Sequence, residues 1–431
     1  MTYAAAVSYL YTLQKHGIKL GLETMTALVG RLGMPQARYR VLHIAGTNGK
    51  GSTAAIVAAI LQKAGYRVGL YTSPHLIDFR ERIRVNGDMI SEAEVARLTE
   101  LLKGVCEPDM SATFFECTTA MAFQYFADSQ VDLAVLEVGL GGRFDATNVV
   151  TPLACAITTI ALDHQAYLGS TLSSIAFEKA GIIKTHVPVI VGRVPDEASR
   201  VIEGVATERA TPLIRLGVDF DVAGQTPAHF AFTGRRIRYN DLSCTLLGAH
   251  QLDNAACALA LLEAAGASGL VIGEKAVREG LQNVRWEGRL EVVGQRPLTV
   301  LDGAHNPAAA EAVASYLREF RLSHPDSRVV LVLGMMRDKD HRGFFEPLKE
   351  LVDEVVLTQA DLPRSATTQE LQVALHESWP RPFANALLSD AMGQAKQLAR
   401  PEDLICVTGS LMLIGDVKAL LGGCGLSPLR G

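Results

Sequence analysis

Short apolar runs recur along the chain, and most of them end near a glycine and give way to helical spacing. Residues 41–45, 132–138, 154–160 and 187–191 make up a first series. These runs are continuous rather than alternating, which predicts parallel strands covered on both faces. After residue 296 the rhythm restarts at 298–302, 328–333, 354–357 and 404–408, with a helical pattern over 308–320. Between the two series, residues 217–247 read as β-rich and turn-rich, and 254–265 as a helix. The stretch from Trp286 to Pro297 carries Gly288 and Gly294 and reads as a hinge. The predicted fold class is α/β: a P-loop-type, mostly parallel sheet domain over 1–287, a hinge linker at 288–296, and a smaller Rossmann-like α/β domain over 297–431.

Composition narrows the classes. With 48% hydrophobic and 20% charged residues in 431, the chain can bury a large core, which excludes a disordered or collagen-like protein. A net charge of −5 provides no global basic field, so no nucleic-acid partner is expected. No apolar stretch is long enough to span a bilayer, and Met1-Thr2-Tyr3-Ala4 lacks a basic leader region, so a cytoplasmic address without membrane contact is expected. Seven scattered cysteines (106, 117, 155, 244, 257, 406 and 424), with no zinc-type spacing, read as buried hydrophobes in a reducing compartment.

The sharpest local signal is His43-Ile44-Ala45-Gly46-Thr47-Asn48-Gly49-Lys50-Gly51-Ser52, at the end of one predicted strand and the start of a helix. Glycines let the backbone turn its amides inward, the helix start adds partial positive charge and Lys50 a full one, which suits a triphosphate. The loop departs from a strict Walker A sequence, because Gly51 follows the lysine and Ile44 stands where the first glycine belongs. A glycine-rich turn with a surface lysine is the competing reading.

Glu137 stands near the C-terminal end of the apolar run 132–138, just before glycines at 139, 141 and 142. Ligands of open parallel sheets bind at that edge. A buried carboxylate there calls for a partner, and a magnesium ion bridging to phosphate is the natural one, although a cap or ion pair would also serve. Asp163-His164 follows another apolar run, with Glu178-Lys179-Ala180-Gly181 beyond it; placement at a strand end makes His164 as good a candidate ligand as a structural residue, whereas spacing alone gives Lys179 no function.

The ordered set is more specific than its members. Gly-Thr-Asn-Gly-Lys-Gly-Ser at 46–52, Thr-Ser-Pro-His-Leu at 72–76, the block from Glu137 to Asn148, Asp163-His164, Glu-Lys-Ala-Gly-Ile at 178–182 and Asp-Gly-Ala-His-Asn-Pro at 302–307 occur in sequence. Together they resemble the folylpolyglutamate synthase and dihydrofolate synthase family, a branch of the Mur-type ATP-dependent amide ligases. The resemblance implies ligation of L-glutamate to dihydropteroate and to the glutamate tail of reduced folates, through an acyl phosphate, with release of ADP and phosphate. It assigns Gly46, Thr47, Asn48, Gly49, Lys50, Gly51 and Ser52 to the ATP phosphates, and Asn254, Arg289 and Asp302 to other nucleotide contacts. Ser73 and Glu137 would hold one Mg²⁺, and His164 with Lys179 a second, the lysine being carbamylated in such enzymes. Asp145 and Ala146 would meet the pterin, and His305 stands in the right motif to handle the proton of the incoming amine. For Asn254, Arg289 and Asp302 a helix cap, a surface ion pair and a strand-end turn are the simpler alternatives. A monomer handling small molecules is expected. The rivals are a synthase acting on folates only, a cell-wall amino-acid ligase, and, from another class, a P-loop ATPase or kinase.

Overall fold

The computed structural model describes residues 1–423 apart from 18, 20, 108 and 380. The chain forms two compact units: one holds 1–245 and 251–285, the other 246–250 and the described residues from 286 onward. Cys424 lies outside the described residues, as does the C-terminal end of the expected domain 297–431.

The first unit is built on an eight-stranded sheet. Its strands are β1 (Arg40–Ala45), β2 (Val68–Tyr71), β3 (Ile83–Val85), β4 (Asp88–Met89), β5 (Leu133–Glu137), β6 (Ala154–Ile157), β7 (Val189–Val191) and β8 (Leu213–Arg215), in the order β4-β3-β2-β5-β1-β6-β7-β8. From β2 to β8 every neighbouring pair is parallel, whereas β3 and β4 add an antiparallel edge. The parallel strands β1, β5, β6 and β7 are buried almost throughout, as continuous apolar runs require when helices cover both faces. Register places Ile44 of β1 beside Glu137 of β5 and Ala45 beside Ile157 of β6, so three strand ends meet at one edge. The expected β-rich segment is a three-stranded antiparallel sheet of β9 (Asp221–Thr226), β10 (His229–Thr233) and β11 (Arg238–Leu242).

The second unit has a six-stranded sheet of β12 (Glu291–Gln295), β13 (Leu298–Leu301), β14 (Val329–Leu333), β15 (Glu354–Leu357), β16 (Ala384–Asn385) and β17 (Leu404–Thr408), ordered β12-β13-β17-β14-β15-β16. Only β12 runs antiparallel to its neighbour. The stretch read as a hinge, 288–296, therefore contains an edge strand of this sheet. Gly288, at φ 70°, supplies the turn before β12, and Gly294 sits where the β12–β13 register shifts, so these glycines shape a strand rather than loosen a linker. Val313, Leu317, Val329, Leu331, Phe344, Phe345 and Trp379 fill the core between this sheet and its helices.

Among the described residues no helix is long and apolar enough to cross a membrane. The six described cysteines are buried free thiols.

Candidate active site at the sheet edge

The glycine-rich loop leaves β1 at Ala45 and enters the helix Lys50–Lys63 at once. Two glycines make the path possible. Gly46 has φ 147° and Gly49 φ 85°, and a β-carbon would overlap the Thr158 hydroxyl at the first and the Asn254 side-chain oxygen at the second. The segment after β6 braces the loop: Thr159 O accepts from Thr47 N at 2.7 Å, Thr159 Oγ1 accepts from Asn48 N at 2.9 Å, and Thr158 Oγ1 donates to Asn48 O at 2.6 Å. The first amides of the Lys50–Lys63 helix, at Lys50, Gly51 and Ser52, have no intrahelical acceptor, which is the arrangement that attracts phosphate oxygens. Lys50 Nζ donates to the carbonyls of Gly46 and Thr47, each at 3.0 Å, so its charge is held over the loop.

Asn254 neither caps a helix nor stands apart from the loop. Its amide lies against Gly49 and donates to Gln251 Oε1 at 2.8 Å, while Gln251 Nε2 reaches Ser52 Oγ at 3.4 Å. This buried pair backs the loop and the first turn of its helix.

Lys179 arrives from the helix Leu172–Ala180 and is buried. Its Nζ donates to Gly46 O at 2.9 Å, inside the glycine-rich loop. Burial, then the Lys50 ammonium, hold the Lys179 amine down at about 7, against the pull of Asp163 and Asp145. Asp163 is buried and accepts from the His164 backbone N–H at 2.8 Å. The His164 ring is exposed, on a residue at φ 50°, with Nε2 3.9 Å from the Asp163 carboxylate.

Glu137 ends β5, buried, and its Oε2 accepts from Ser73 N at 3.1 Å. The loop beyond β2 that brings Ser73 there is fastened by Glu81, whose carboxylate accepts from the amides of Leu76, Ile77 and Asp78. His75 of the same loop takes a 2.8 Å hydrogen bond from the buried Arg82.

Asp145 is buried, and its two oxygens accept from Gly139 N, Leu140 N, Thr147 N and Thr147 Oγ1. Burial raises this carboxyl and the hydrogen bonds oppose the rise. Since Thr147 Oγ1 spends its proton on Asp145, it accepts from His43 Nε2 at 2.8 Å. Burial drives His43 down to about 3, so the ring is neutral and ties β1 to the 139–147 loop. Ala146 lies buried in the short helical turn Ala146–Val149.

In the second unit, Asp302 follows β13 and pins the preceding turn, accepting from Leu290 N and Ala304 N at 2.8 Å each. Arg289 Nη1 donates to Gly288 O at 2.9 Å and lies against Gly303. His305 Nδ1 is 2.9 Å from Gly303 O, and Asn306 caps the helix Pro307–Ser323.

The first unit thus brings Lys50, Lys179 and Gly46 together, sets Ser73 on Glu137, and holds Asn254 behind the loop; Arg289, Asp302 and His305 form a separate group in the second. Sequence reading missed Asp163, Thr158, Thr159 and Gln251 as supports. Asp163 and Gln251 stood inside quoted motifs, and the two threonines at the end of an apolar run were the remaining signal.

Comparison with known proteins gives the family. Residues 44–262 match the Mur ligase middle domain and residues 288–411 the Mur ligase glutamate ligase domain. A dihydrofolate synthase/folylpolyglutamate synthase of Bacillus subtilis is 36% identical over 97% of this chain and 99% of its own length. A protein of the same description from Escherichia coli is 37% identical over 97% of this chain and 95% of its own. Among solved structures, Escherichia coli FolC in complex with DHPP and ADP superposes with a TM-score of 0.89 at 36% identity, covering 98% of both chains. A bifunctional folylpolyglutamate synthase/dihydrofolate synthase with Mn, AMPPNP and L-glutamate bound gives 0.88 at 36% identity, with 98% of both chains covered. On sequence and architecture, the chain belongs to the dihydrofolate synthase/folylpolyglutamate synthase family of the Mur ligases.

Proposed function

We propose that this protein ligates L-glutamate to dihydropteroate and to the glutamyl tail of reduced folates, forming ADP and phosphate. The observation that carries the reading is the buried Lys179 amine held on the Gly46 carbonyl oxygen, inside the loop that cradles phosphate. A simple ATPase has no use for a second lysine, depressed to about 7, at that point.

A carboxylate oxygen is a poor leaving group, so the acid is activated first. Its oxygen attacks the γ-phosphorus of ATP and the bond to ADP breaks. The glutamate amine then attacks the carbonyl carbon, and the C–O bond breaks with phosphate leaving. The helix-start amides and Lys50 position the β- and γ-phosphates and offset charge as it shifts between oxygens. Asn254, Gln251, Thr158 and Thr159 hold that loop in shape.

The donor chemistry fits a divalent ion. Glu137 and Ser73 offer hard oxygens, and among the described residues no group of three or more His, Cys, Asp or Glu side chains could hold a metal ion by itself. Mg²⁺ accepts such a sparse protein set when phosphate oxygens and water complete its shell. Ser73 and Glu137 would hold one ion, and His164 with a carbamylated Lys179 the second; when bound, they supply charge neutralisation for phosphoryl transfer. Lys179 suits carbamylation because an amine near 7 is substantially neutral at physiological pH, and only the neutral amine adds CO₂. Asp145 and Ala146 would shape the pterin end of the acceptor site, Asp145 doing so by pinning the 139–147 loop. Arg289 and Asp302 would contact the nucleotide, and His305 would assist the amine.

An acceptor screen tests the proposal: dihydropteroate and tetrahydrofolate, each with ATP and with or without L-glutamate, followed by ADP release. Glutamate-dependent ADP formation with both is expected. Activity with tetrahydrofolate alone leaves a folate-only synthase, activity only with a UDP-linked muramoyl peptide a cell-wall ligase, and ADP formation indifferent to glutamate an ATPase.

A further inference from the structure

Strand β6 ends at Ile157, and the chain then leaves the sheet to reach Asp163 and His164. Backbone groups on that path need partners other than a strand ladder. At Ala161 a single side chain supplies both: Thr47 Oγ1 donates to Ala161 O at 3.2 Å and accepts from Ala161 N at 3.0 Å. The rest of Thr47 is engaged as well. Its amide donates to Thr159 O at 2.7 Å, and its carbonyl accepts from Lys50 Nζ at 3.0 Å.

A phosphate oxygen only accepts hydrogen bonds, and a threonine hydroxyl has one proton to give. Thr47 gives that proton to Ala161 and its amide proton to Thr159, and the Asn48 amide goes to Thr159 Oγ1. The donors left for phosphate therefore lie beyond Thr47 and Asn48, at the helix start. What Thr47 does instead follows from its neighbours. Lys179 Nζ is held on Gly46 O, one residue before it. Ala161, which it clasps, stands two residues before Asp163 and three before His164. The two side chains proposed for the second ion, His164 and Lys179, come from different elements, and adjacent residues of one loop tie down the approach of each.

We infer that Thr47 is a positioning residue rather than an ATP contact: its hydroxyl ties the phosphate loop to the segment carrying Asp163 and His164, and so keeps the second metal position in register with the phosphates. The inference rests on the proposed two-ion reading and adds to it the residue that aligns the second ion.

The test compares Thr47→Val, which keeps the shape and removes both bonds, with Thr47→Ser, which keeps the hydroxyl. ADP affinity is measured by titration calorimetry, Mn²⁺ binding in the presence of AMPPNP by loss of the free-ion electron paramagnetic resonance signal, and turnover by ADP release. Thr47→Val should weaken the second Mn²⁺ and lower kcat by on the order of 10- to 100-fold, the usual loss when a group that orients a metal ligand is removed. ADP affinity and KM for ATP should stay within about threefold of wild type, and Thr47→Ser should recover most of the lost kcat. Weakened ADP binding with the second Mn²⁺ unmoved would make the hydroxyl a nucleotide contact and overturn the inference. Equal losses in both, or no change in either, would overturn it too while leaving the two-ion reading intact. Should Thr47→Val fail to fold, Thr47→Ala decides by the same split. A wild-type protein that binds a single Mn²⁺ with AMPPNP removes the two-ion reading, and this inference with it.

Discussion

Lys50→Ala lowers glutamate-dependent ADP formation by at least about 10³-fold while the protein remains folded, the upper range for removing a group aimed at developing charge. Lys50 Nζ bonds to carbonyls of its own loop, at Gly46 and Thr47, and the side chain is half-buried. Losing each of these hydrogen bonds costs the fold about 1 kcal/mol, and alanine is the better helix former at a first-turn position. The functional loss is larger because two effects act in the same direction. The transferring phosphoryl group loses a fixed positive charge. The Lys179 amine also loses a neighbour that depresses it, so its pKa rises above about 7 and less of it is neutral at physiological pH. Turnover close to wild type, with circular dichroism and thermal unfolding unchanged, would remove the phosphate-loop assignment.

Lys179→Ala abolishes ligation, and short carboxylic acids restore part of it. An ammonium at this position would repel a metal ion, whereas a carbamate offers the hard oxygens such an ion takes. A small free carboxylate entering the space left by the side chain supplies the same oxygens. In the unsubstituted protein the sign of the pH dependence follows from the depressed amine. Above about 7 the neutral form dominates and can carry CO₂; as pH falls through that value the ammonium form takes over and carbamate is lost. Activity should therefore decline on the acid side of pH 7, and added bicarbonate should oppose the decline. Rescue can be read as ADP formation against acetate or formate concentration, with the Lys50→Ala variant as a control that such acids cannot restore. Full activity of Lys179→Ala with no added acid would sink the carbamate role.

The sequence announced the parts of this site that are local. Gly46, Gly49 and Lys50 act through backbone turns and a helix start within a few residues of one another, so their spacing carried the information. The parallel strands were legible for a similar reason, because burial on both faces writes an unbroken apolar run. What supports the loop was hidden, since its partners come from far along the chain. Thr158 and Thr159 brace Asn48 across more than a hundred residues, and Gln251 reaches Ser52 across 199. Asp145 shows another limit. Motif likeness assigned it to the pterin; that four donors from its own loop converge on its oxygens is legible only in coordinates. The hinge reading failed at 291–295 because glycine marks a strand bulge as readily as a linker. The edge strands β3 and β4 escaped notice because strands that short have no periodicity to read.

Oxygen transfer tests the central claim, activation of an acid as its acyl phosphate, more directly than any substitution. A folyl or pteroate acceptor labelled with ¹⁸O in its reacting carboxylate is incubated with ATP and L-glutamate, and the phosphate is analysed by mass spectrometry. The account predicts one ¹⁸O in each phosphate released, carried over when the amine displaces it. Amide formed with unlabelled phosphate, the displaced ¹⁸O having gone to water, would contradict it.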